Sequence, residues 1–337
     1  MAVKDRRPGL PVFHRAANHG SAMNMRPAIF CSALALMVAL APGCSIRKFA
    51  IHKLGDALSG SGATFASDDD PELIRAAVPF SLKLIESLLA ESPKHEGLLL
   101  AACSGFTQYS YAFVKEEADE KEDADLAAAD AARARARKLF LRARGYGLRG
   151  LELRHAGFSA ALRRNPREAA TLVLTRDVPL LFWTAASWGA AISVGKDDPG
   201  LLSDQLIVEA LLDRALALDE AFDQGAIHSL LISYEMVRRT ASGDPAERAR
   251  RHFARVLELS RGRLASPFVS LAEAVAVEKQ DKAEFESLLQ QALAVNPDGL
   301  PESRLVNTLA QRRAKWLLGR VDDLFLAVPS AKEDATK

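Results

Sequence analysis

Three octapeptides decide the fold: Leu212-Asp-Arg-Ala-Leu-Ala-Leu-Asp219, Phe253-Ala-Arg-Val-Leu-Glu-Leu-Ser260 and Leu289-Gln-Gln-Ala-Leu-Ala-Val-Asn296. They begin 41 and 36 residues apart, which is close to the length of one helical hairpin. Each opens with a large apolar residue, has a small or branched residue three positions on, and ends in a short polar residue. The small residue lets two helices approach closely, and the polar residue can end the helix. The spacing therefore predicts stacked helical hairpins of tetratricopeptide type, which usually build a binding surface.

The composition of the 337-residue chain agrees with a helical protein. Hydrophobic residues make up 49%, and alanine and leucine, two strong helix formers, dominate. Alternating runs of β-branched residues, which would indicate strands, are nearly absent. The predicted fold class is therefore all-α, a tetratricopeptide-like helical hairpin solenoid. The formal net charge of +1 gives no case for a nucleic-acid partner.

Residues 1–43 are predicted to be an N-terminal extension that ends in a lipoprotein signal peptide. Residues 28–41 are uncharged and mostly apolar, and this run is too short to span a bilayer. Arg26 precedes the run and Ala41-Pro42-Gly43-Cys44 follows it, as in a signal peptide with its cleavage site. Cys44 is therefore the predicted lipidation site and membrane anchor. The alternative is an ordinary cleaved signal with a chance cysteine.

The start of translation and the membrane that carries the anchor depend on this segment. Residues 1–22 are polar and basic, which is unusual before a signal peptide, so Met1, Met23 and Met25 are all candidate starts. The predicted protein is exported and lipid-anchored to a membrane. Ser45, which follows the lipidated cysteine, is not the aspartate usual for inner-membrane retention, and this favours the outer membrane.

The rest of the chain divides into a tether, a helical domain and a tail. Residues 44–67 include Ser59-Gly-Ser-Gly-Ala-Thr64 and are predicted to be a tether. The helical-repeat domain spans residues 68–328, and residues 329–337 form a disordered tail. Asp70-Pro71-Glu72 predicts the first helix of the domain, because aspartate caps a helix and proline fits its first position.

Two unusual segments interrupt the repeats. VPLLFWTAASWGAAISV (178–194) is short for a membrane span and has charged residues on both sides, so it predicts a helix buried on all sides. Residues 116–125 are nearly all acidic. They are interpreted as a solvated loop or helix end, because the glycine and alternating ligands of a calcium loop are missing.

Several long segments resemble the TatT component family of TRAP transporters, in the same order along the chain. They are SGFTQYSYAFVKEEAD (104–119), RARGYGLRGLE (142–152), FWTAASWGAAISVGKDDP (182–199), GAIHSLLISYE (225–235) and RLVNTLAQRRAKWLLGRVDDLF (304–325). The similarity covers most of residues 68–328. The resemblance implies a periplasmic lipoprotein of tetratricopeptide-like hairpins. It also implies work beside the substrate-binding protein of a tripartite ATP-independent transporter, self-association, and an internal passage or cleft.

A ligand site is predicted from aromatic residues with polar tips, the usual lining of a small-molecule pocket. The aromatic candidates and the histidine are Tyr109, Tyr111, Trp183, Trp188, His228 and Tyr234. Because TRAP systems generally carry organic acids, Lys196 and Arg149 are added as candidate cations. Core packing is the alternative for the aromatic residues, a buried and satisfied histidine for His228, and simple solvation for the two cations.

No enzyme is predicted, because the chain has no G-x-S-x-G, no glycine-rich phosphate loop and no H-E-x-x-H. No cofactor and no metal are predicted either. The expected partners are a periplasmic substrate-binding protein, a small organic-acid or hydrophobic ligand, the membrane through the anchor, and further copies of the chain. The competing hypothesis is a general helical-repeat lipoprotein scaffold for envelope assembly.

Overall fold

A computed structural model of the chain describes residues 53–58, 60, 62–238 and 240–326. Residues 53–58 are helical, and the helices that follow are numbered from there. The first eight are α1 (Gly62–Ala66), α2 (Pro71–Glu91), α3 (Glu96–Ser110), α4 (Glu116–Lys121), α5 (Leu126–Arg154), α6 (Phe158–Arg164), α7 (Pro166–Ala170) and α8 (Val178–Ser193). The remaining eight are α9 (Pro199–Ser203), α10 (Gln205–Leu218), α11 (Phe222–Tyr234), α12 (Pro245–Ser260), α13 (Ser266–Leu271), α14 (Lys282–Ala294), α15 (Arg304–Leu318) and α16 (Val321–Leu324).

Short irregular helical turns complete the chain. Two π segments, Tyr111–Lys115 after α3 and Ala272–Ala276 after α13, each continue the preceding α-helix. Turns of 3-10 helix occupy Thr175–Asp177, Pro297–Gly299 and Pro301–Ser303. The described residues form no strand, which confirms the predicted all-α class.

The predicted helix start at Asp70 is confirmed. Its carboxylate accepts hydrogen bonds from the backbone N–H groups of Glu72 and Leu73, both at 3.0 Å, and α2 begins at Pro71. Such side-chain bonds satisfy donors that the first turn of a helix would otherwise leave free. Asp244 caps α12 in the same way, through the N–H of Ala246.

The structure describes part of the segment predicted as a tether. Residues 53–58 and α1 are helical, so the second half of the segment predicted as a tether contains ordered helix. Cys44, the signal peptide in residues 1–43 and the tail in residues 329–337 lie outside the described residues.

Each of the three octapeptides lies at the C-terminal end of a helix, namely α10, α12 and α14. The apolar run at 178–194 forms α8, most of whose side chains are buried, as predicted. Stacking of the helices as tetratricopeptide-type hairpins stays a prediction.

Close approach of α5 to α8 and α3 organises the middle of the molecule. Gly147 of α5 is the point of contact, because a Cβ there would lie 2.1 Å from Thr184 Oγ1 and 2.9 Å from Cys103 Sγ. A side chain at this position would therefore push the helices apart. Cys103 itself is fully buried.

Helix α15 belongs to two hydrophobic cores at once. Its Ala310, Ala314 and Leu317 are buried in the C-terminal core with residues of α12–α14. Its Leu305 and Leu309 pack instead against the N-terminal core formed by α2, α3 and α5. The last long helix therefore returns to the first helices of the domain.

Candidate functional site

Charged contacts hold α15 against the start of the domain. Arg312 donates to Glu72 on α2 at 2.6 Å, and Arg304 donates to the carbonyl of Ser67 at 3.1 Å. The partners are 240 and 237 positions apart in the sequence. These contacts form a junction between α15 and the start of the domain, which neither end of the domain can form alone.

Arg313 lies at the centre of this junction. Its Nε and Nη2 atoms bond Oε1 of Glu273 at 3.0 and 2.7 Å, and Nη2 also bonds Asp119 at 3.1 Å. Its guanidinium carbon lies 4.2 Å from the centre of the Trp316 ring. The Arg313 side chain is only 8% exposed. One buried guanidinium thus joins carboxylates from two distant segments.

The acidic side of the junction comes from α4, which directly follows the first π segment, and from the second π segment. In the first, the N–H of Glu116 bonds the carbonyl of Tyr111, and in the second, the N–H of Val277 bonds the carbonyl of Ala272. A π turn holds one extra residue and turns the side chains after it to a new face of the helix, which is frequent at functional sites. Glu273 lies inside the second segment.

Tyr111 and Lys115 line the same junction. Nζ of Lys115 bonds Asp119 at 2.7 Å and lies 5.4 Å from the centre of the Tyr111 ring, which is 48% exposed. Because Asp119 also bonds Arg313, the contacts form one continuous chain that ends at Glu273. Although the Lys115 ammonium acts against it, burial and the nearby carboxylates raise the pKa of Tyr111.

Three polar groups of the junction lack a hydrogen bond to any other described residue. Nη1 of Arg313 is buried without a partner, and the Tyr111 hydroxyl and the Glu116 carboxyl have none either. Burial raises the pKa of Glu116 to about 7, against the opposing attraction of Arg313 and Lys115. An unsatisfied buried donor costs roughly 1–3 kcal/mol, so such a group calls for an explanation, a bound ligand among them.

Glu116 also lines a cleft at the edge of the junction. The other lining residues are Arg75, Ala112, Glu117, Glu120, Leu309 and Arg312. The space that the cleft encloses, about 10 Å³, holds a single water molecule and is far smaller than the roughly 300–1,000 Å³ of small-molecule pockets.

The eight residues predicted to bind a ligand are not brought together. Tyr111 lies at the junction, Tyr109 in the N-terminal core, and Trp183, Trp188 and Tyr234 in or against the central core of α5–α11, while His228 is buried on α11 and Lys196 and Arg149 are exposed. Arg149 donates to the carbonyl of Pro93 at 3.1 Å. Ligand binding by these eight residues stays a prediction, and only Tyr111 is near the unpaired groups.

Trp188 is 1% exposed and has a complete set of partners. Its Nε1 donates to Asp204 at 3.1 Å. The guanidinium carbons of Arg144 and Arg163 lie 4.6 and 5.4 Å from the centre of its ring, and Arg163 also bonds Asp204. These contacts give Trp188 a packing role in the central core.

His228 forms a pair with His252 on the neighbouring helix α12. The two Nδ1 atoms are 2.8 Å apart, so one must carry the proton and the other must accept it. The other ring nitrogens lie 3.5 Å from Glu220 and 4.0 Å from Glu235, respectively. Burial lowers the pKa of both histidines, and together with the charge of its partner it lowers that of His252 to about 4.

The histidine pair should make the protein less stable as the pH falls. In the unfolded chain His252 takes up a proton near pH 6.5, whereas in the folded chain its pKa of about 4 keeps it neutral. This group alone should lower the free energy of unfolding by about 2 kcal/mol between pH 7 and pH 5, at ~1.4 kcal/mol per unit. In urea unfolding at pH 7 and pH 5, the free energy of unfolding should fall less for His252→Gln than for the natural sequence. An equal fall in the variant and the natural sequence would contradict this explanation.

Sequence analysis did not identify the junction. The acidic residues 116–125 do not form only a solvated segment, since α4 begins there and Asp123 bonds Arg320 at 2.5 Å, just as Asp119 bonds α15. The available signal was the complementary charge of RLVNTLAQRRAKWLLGR (304–320). Charge alone does not say which distant segments meet.

No helix in the described part of the chain has both the length and the apolar character needed to cross a membrane. Within those same residues, histidine, cysteine and acidic side chains form no group able to hold a metal ion.

Fold and junction together define the class: an all-helical protein whose distant ends meet at a charged site. The family described as TRAP transporter T-component matches residues 67–325, and the chain belongs to this family. The family is an accessory component of TRAP transport on the periplasmic side and is not a known enzyme family. The resemblance seen in the sequence is thereby confirmed.

A curated protein of Treponema pallidum (strain Nichols) is similar along nearly its whole length. It is 28% identical over 305 residues, which covers 85% of this chain and 94% of the relative. That protein is described as uncharacterized, so the comparison shows how much of the chain the two proteins share and assigns no activity.

Proposed function

We propose that this chain is a periplasmic lipoprotein, anchored through Cys44, that binds the substrate-binding protein of a TRAP system. The observation that carries the proposal is the family match over residues 67–325, which covers nearly the whole helical domain. The protein would act by binding and docking, without chemistry of its own. Its anchor would lie in the outer membrane, and the mature protein would self-associate.

An exposed apolar patch offers a docking face for the substrate-binding protein. Leu202, Leu206 and Val237 are 41%, 55% and 56% exposed. Leu202 and Leu206 flank the connection between α9 and α10, and the side chain of Gln205 donates to the Val237 carbonyl at 3.4 Å, which brings the backbone of Val237 close to the start of α10. Contiguous exposed apolar surface often marks an interaction site.

Co-purification from detergent extracts tests this proposal. The tagged full-length protein should retain a periplasmic substrate-binding protein, and the double variant Leu206→Glu, Val237→Glu should retain at least tenfold less of it. Leu126→Glu is the matched control, because Leu126 is 58% exposed at the start of α5 and lies outside the patch. Equal recovery with the double variant would overturn the docking face, and no recovery with the natural sequence would overturn the partner.

A general envelope scaffold is the second candidate, and one observation favours it. Tyr109, Trp188 and Tyr234, which were predicted to line a ligand pocket, are all at most 9% exposed. Tyr234 donates to the carbonyl of Gln205 at 3.3 Å, so its polar tip is satisfied within the protein. A scaffold would bring down envelope proteins unrelated to transport in the same co-purification.

A further inference from the structure

We propose that the loop of residues 171–174, which follows α7, inserts its two exposed leucines into the surface of an anionic phospholipid membrane. The inference rests on the proposed function only in that the lipid anchor brings the domain to a membrane. Leu172 is 53% exposed and Leu174 is 49% exposed. Val173 between them is fully buried in the central core, so the loop is fixed to the domain while both leucines face outward.

The backbone of this loop is satisfied from inside the protein. The N–H groups of residues 171, 172 and 173 each bond the carbonyl three positions earlier, at 3.1–3.2 Å. The N–H of Leu174 bonds the Asp177 carboxylate at 3.0 Å, and the carbonyl of Leu174 accepts from the N–H of Asp177 at 2.9 Å.

Arg214 of α10 supplies the remaining donors. Its Nη2 bonds the carbonyl of Val173 at 2.6 Å and that of Thr171 at 3.4 Å, and its Nε bonds the Val173 carbonyl at 3.2 Å. At least seven of the eight backbone polar groups of the loop therefore have a partner within the protein. A loop in water has no need of such partners, whereas backbone that enters the apolar part of a membrane must be satisfied internally.

The charges around the loop indicate which membrane surface it fits. Residues 163–177 contain four arginines and two acidic residues. One of the two, Asp177, is buried and pairs with Arg154 at 2.5 Å, so its charge does not oppose an anionic surface. Three of the arginines are exposed, namely Arg164, Arg167 and Arg176. Guanidinium groups beside exposed leucines suit anionic headgroups above an apolar layer.

The size of the apolar surface favours a membrane over a protein partner. Two half-exposed leucines cover far less than the roughly 800 Å² per partner that a specific protein interface buries. A membrane contact needs no shaped partner surface, because lipid chains and a second, weaker signal act together in anchoring. The loop would then set which side of the domain faces the bilayer.

Tryptophan quenching by brominated lipids tests the proposal on the full-length protein, reconstituted in vesicles of phosphatidylglycerol and phosphatidylcholine. The emission that Leu174→Trp adds to the natural sequence should fall by about half in brominated vesicles, because interfacial side chains reach roughly 5–10 Å into the headgroup–acyl boundary. Leu126→Trp is the matched control, and its added emission should not change. Leu126 is 58% exposed but lies at the far end of α5 from Arg154, the residue that pairs with Asp177.

Removal of charge tests the preference for an anionic surface. In the Leu174→Trp protein, Arg167→Gln with Arg176→Gln should reduce the quenching about twofold, and so should vesicles of phosphatidylcholine alone. Lys138→Gln with Arg251→Gln removes the same charge from exposed positions on α5 and α12 and should leave the quenching unchanged.

Two results would overturn the proposal: no added quenching in either Leu174→Trp or Leu172→Trp, with the helical circular dichroism intact, or equal quenching in Leu174→Trp and Leu126→Trp. Loss of a co-purifying protein in Leu172→Glu with Leu174→Glu, without quenching of either tryptophan, would assign the loop to a protein partner instead. Flotation of the natural sequence with vesicles reports the lipid anchor, so failure of the anchor and failure of the loop contact can be told apart.

Discussion

Replacement of Trp188 by alanine is expected to lower the free energy of unfolding by about 3–5 kcal/mol, the usual cost of emptying a large aromatic site in a core. Trp188 is 1% exposed, and its removal also takes away a hydrogen-bond donor from Asp204 and the ring beneath Arg144 and Arg163. Denaturant unfolding followed by circular dichroism measures the change.

Trp183 provides the comparison for Trp188. It is only partly buried at the edge of the same core, where its ring contacts Phe182 edge-on. Trp183→Ala should cost clearly less than Trp188→Ala. If the two variants unfold at the same denaturant concentration, the packing role assigned to Trp188 is wrong. Loss of ligand binding in Trp183→Ala alone would support its predicted place in a ligand site.

Replacement of Arg248 by methionine should cost about 3 kcal/mol, at the lower end of the range for breaking a buried ion pair, because Glu235 loses its shorter partner but keeps Arg238 at 3.1 Å. The Arg248 Nε bonds the Glu235 carboxylate at 2.5 Å, and the same guanidinium bonds the carbonyls of Glu235, Ser242 and Gly243. The Glu235 side chain is 3% exposed, so water cannot replace the lost bonds.

Two further variants separate charge burial from simple loss of an arginine. Arg250→Met on the same helix breaks a partly exposed pair with Glu284 and should cost less, about 1 kcal/mol. The double variant Arg248→Met, Glu235→Leu removes both charges and should recover much of the stability. A double variant no more stable than Arg248→Met would show that the buried carboxylate is not the source of the loss.

Local chemistry explains which features of the fold could be predicted from the sequence. The start of α2 depends on Asp70 and the two residues after it, so the sequence contains all of its determinants. The burial of α8 follows from its own apolar composition. These predictions require no knowledge of distant partners.

The junction could not be predicted, because it depends on which distant helices meet. Arg313 becomes a site residue only when α15 lies against carboxylates 40 and 194 positions away. The π turn that contains Glu273 has no sequence signal either, since an extra residue in a helix is stabilised by its tertiary contacts. The hydrogen-bonded core position of Trp188 could not be predicted for the same reason. It depends on Asp204, which follows only after an intervening short helix.

The buried pair of His228 and His252 and the Glu116 carboxyl change the stability of the fold in opposite directions as the pH falls. Protonation of the buried histidine pair disfavours the fold below pH 6.5, whereas protonation of Glu116 relieves a buried charge below about pH 7. The two effects can be separated, since Glu116→Gln removes one and His252→Gln removes the other.

Direct titration of the purified protein with the purified substrate-binding protein of a TRAP system from the same organism tests the central claim most directly. A saturable complex of fixed stoichiometry is expected, weakened at least tenfold by Leu206→Glu with Val237→Glu and unchanged by Leu126→Glu. A titration that shows no binding at protein concentrations up to the solubility limit would contradict the account.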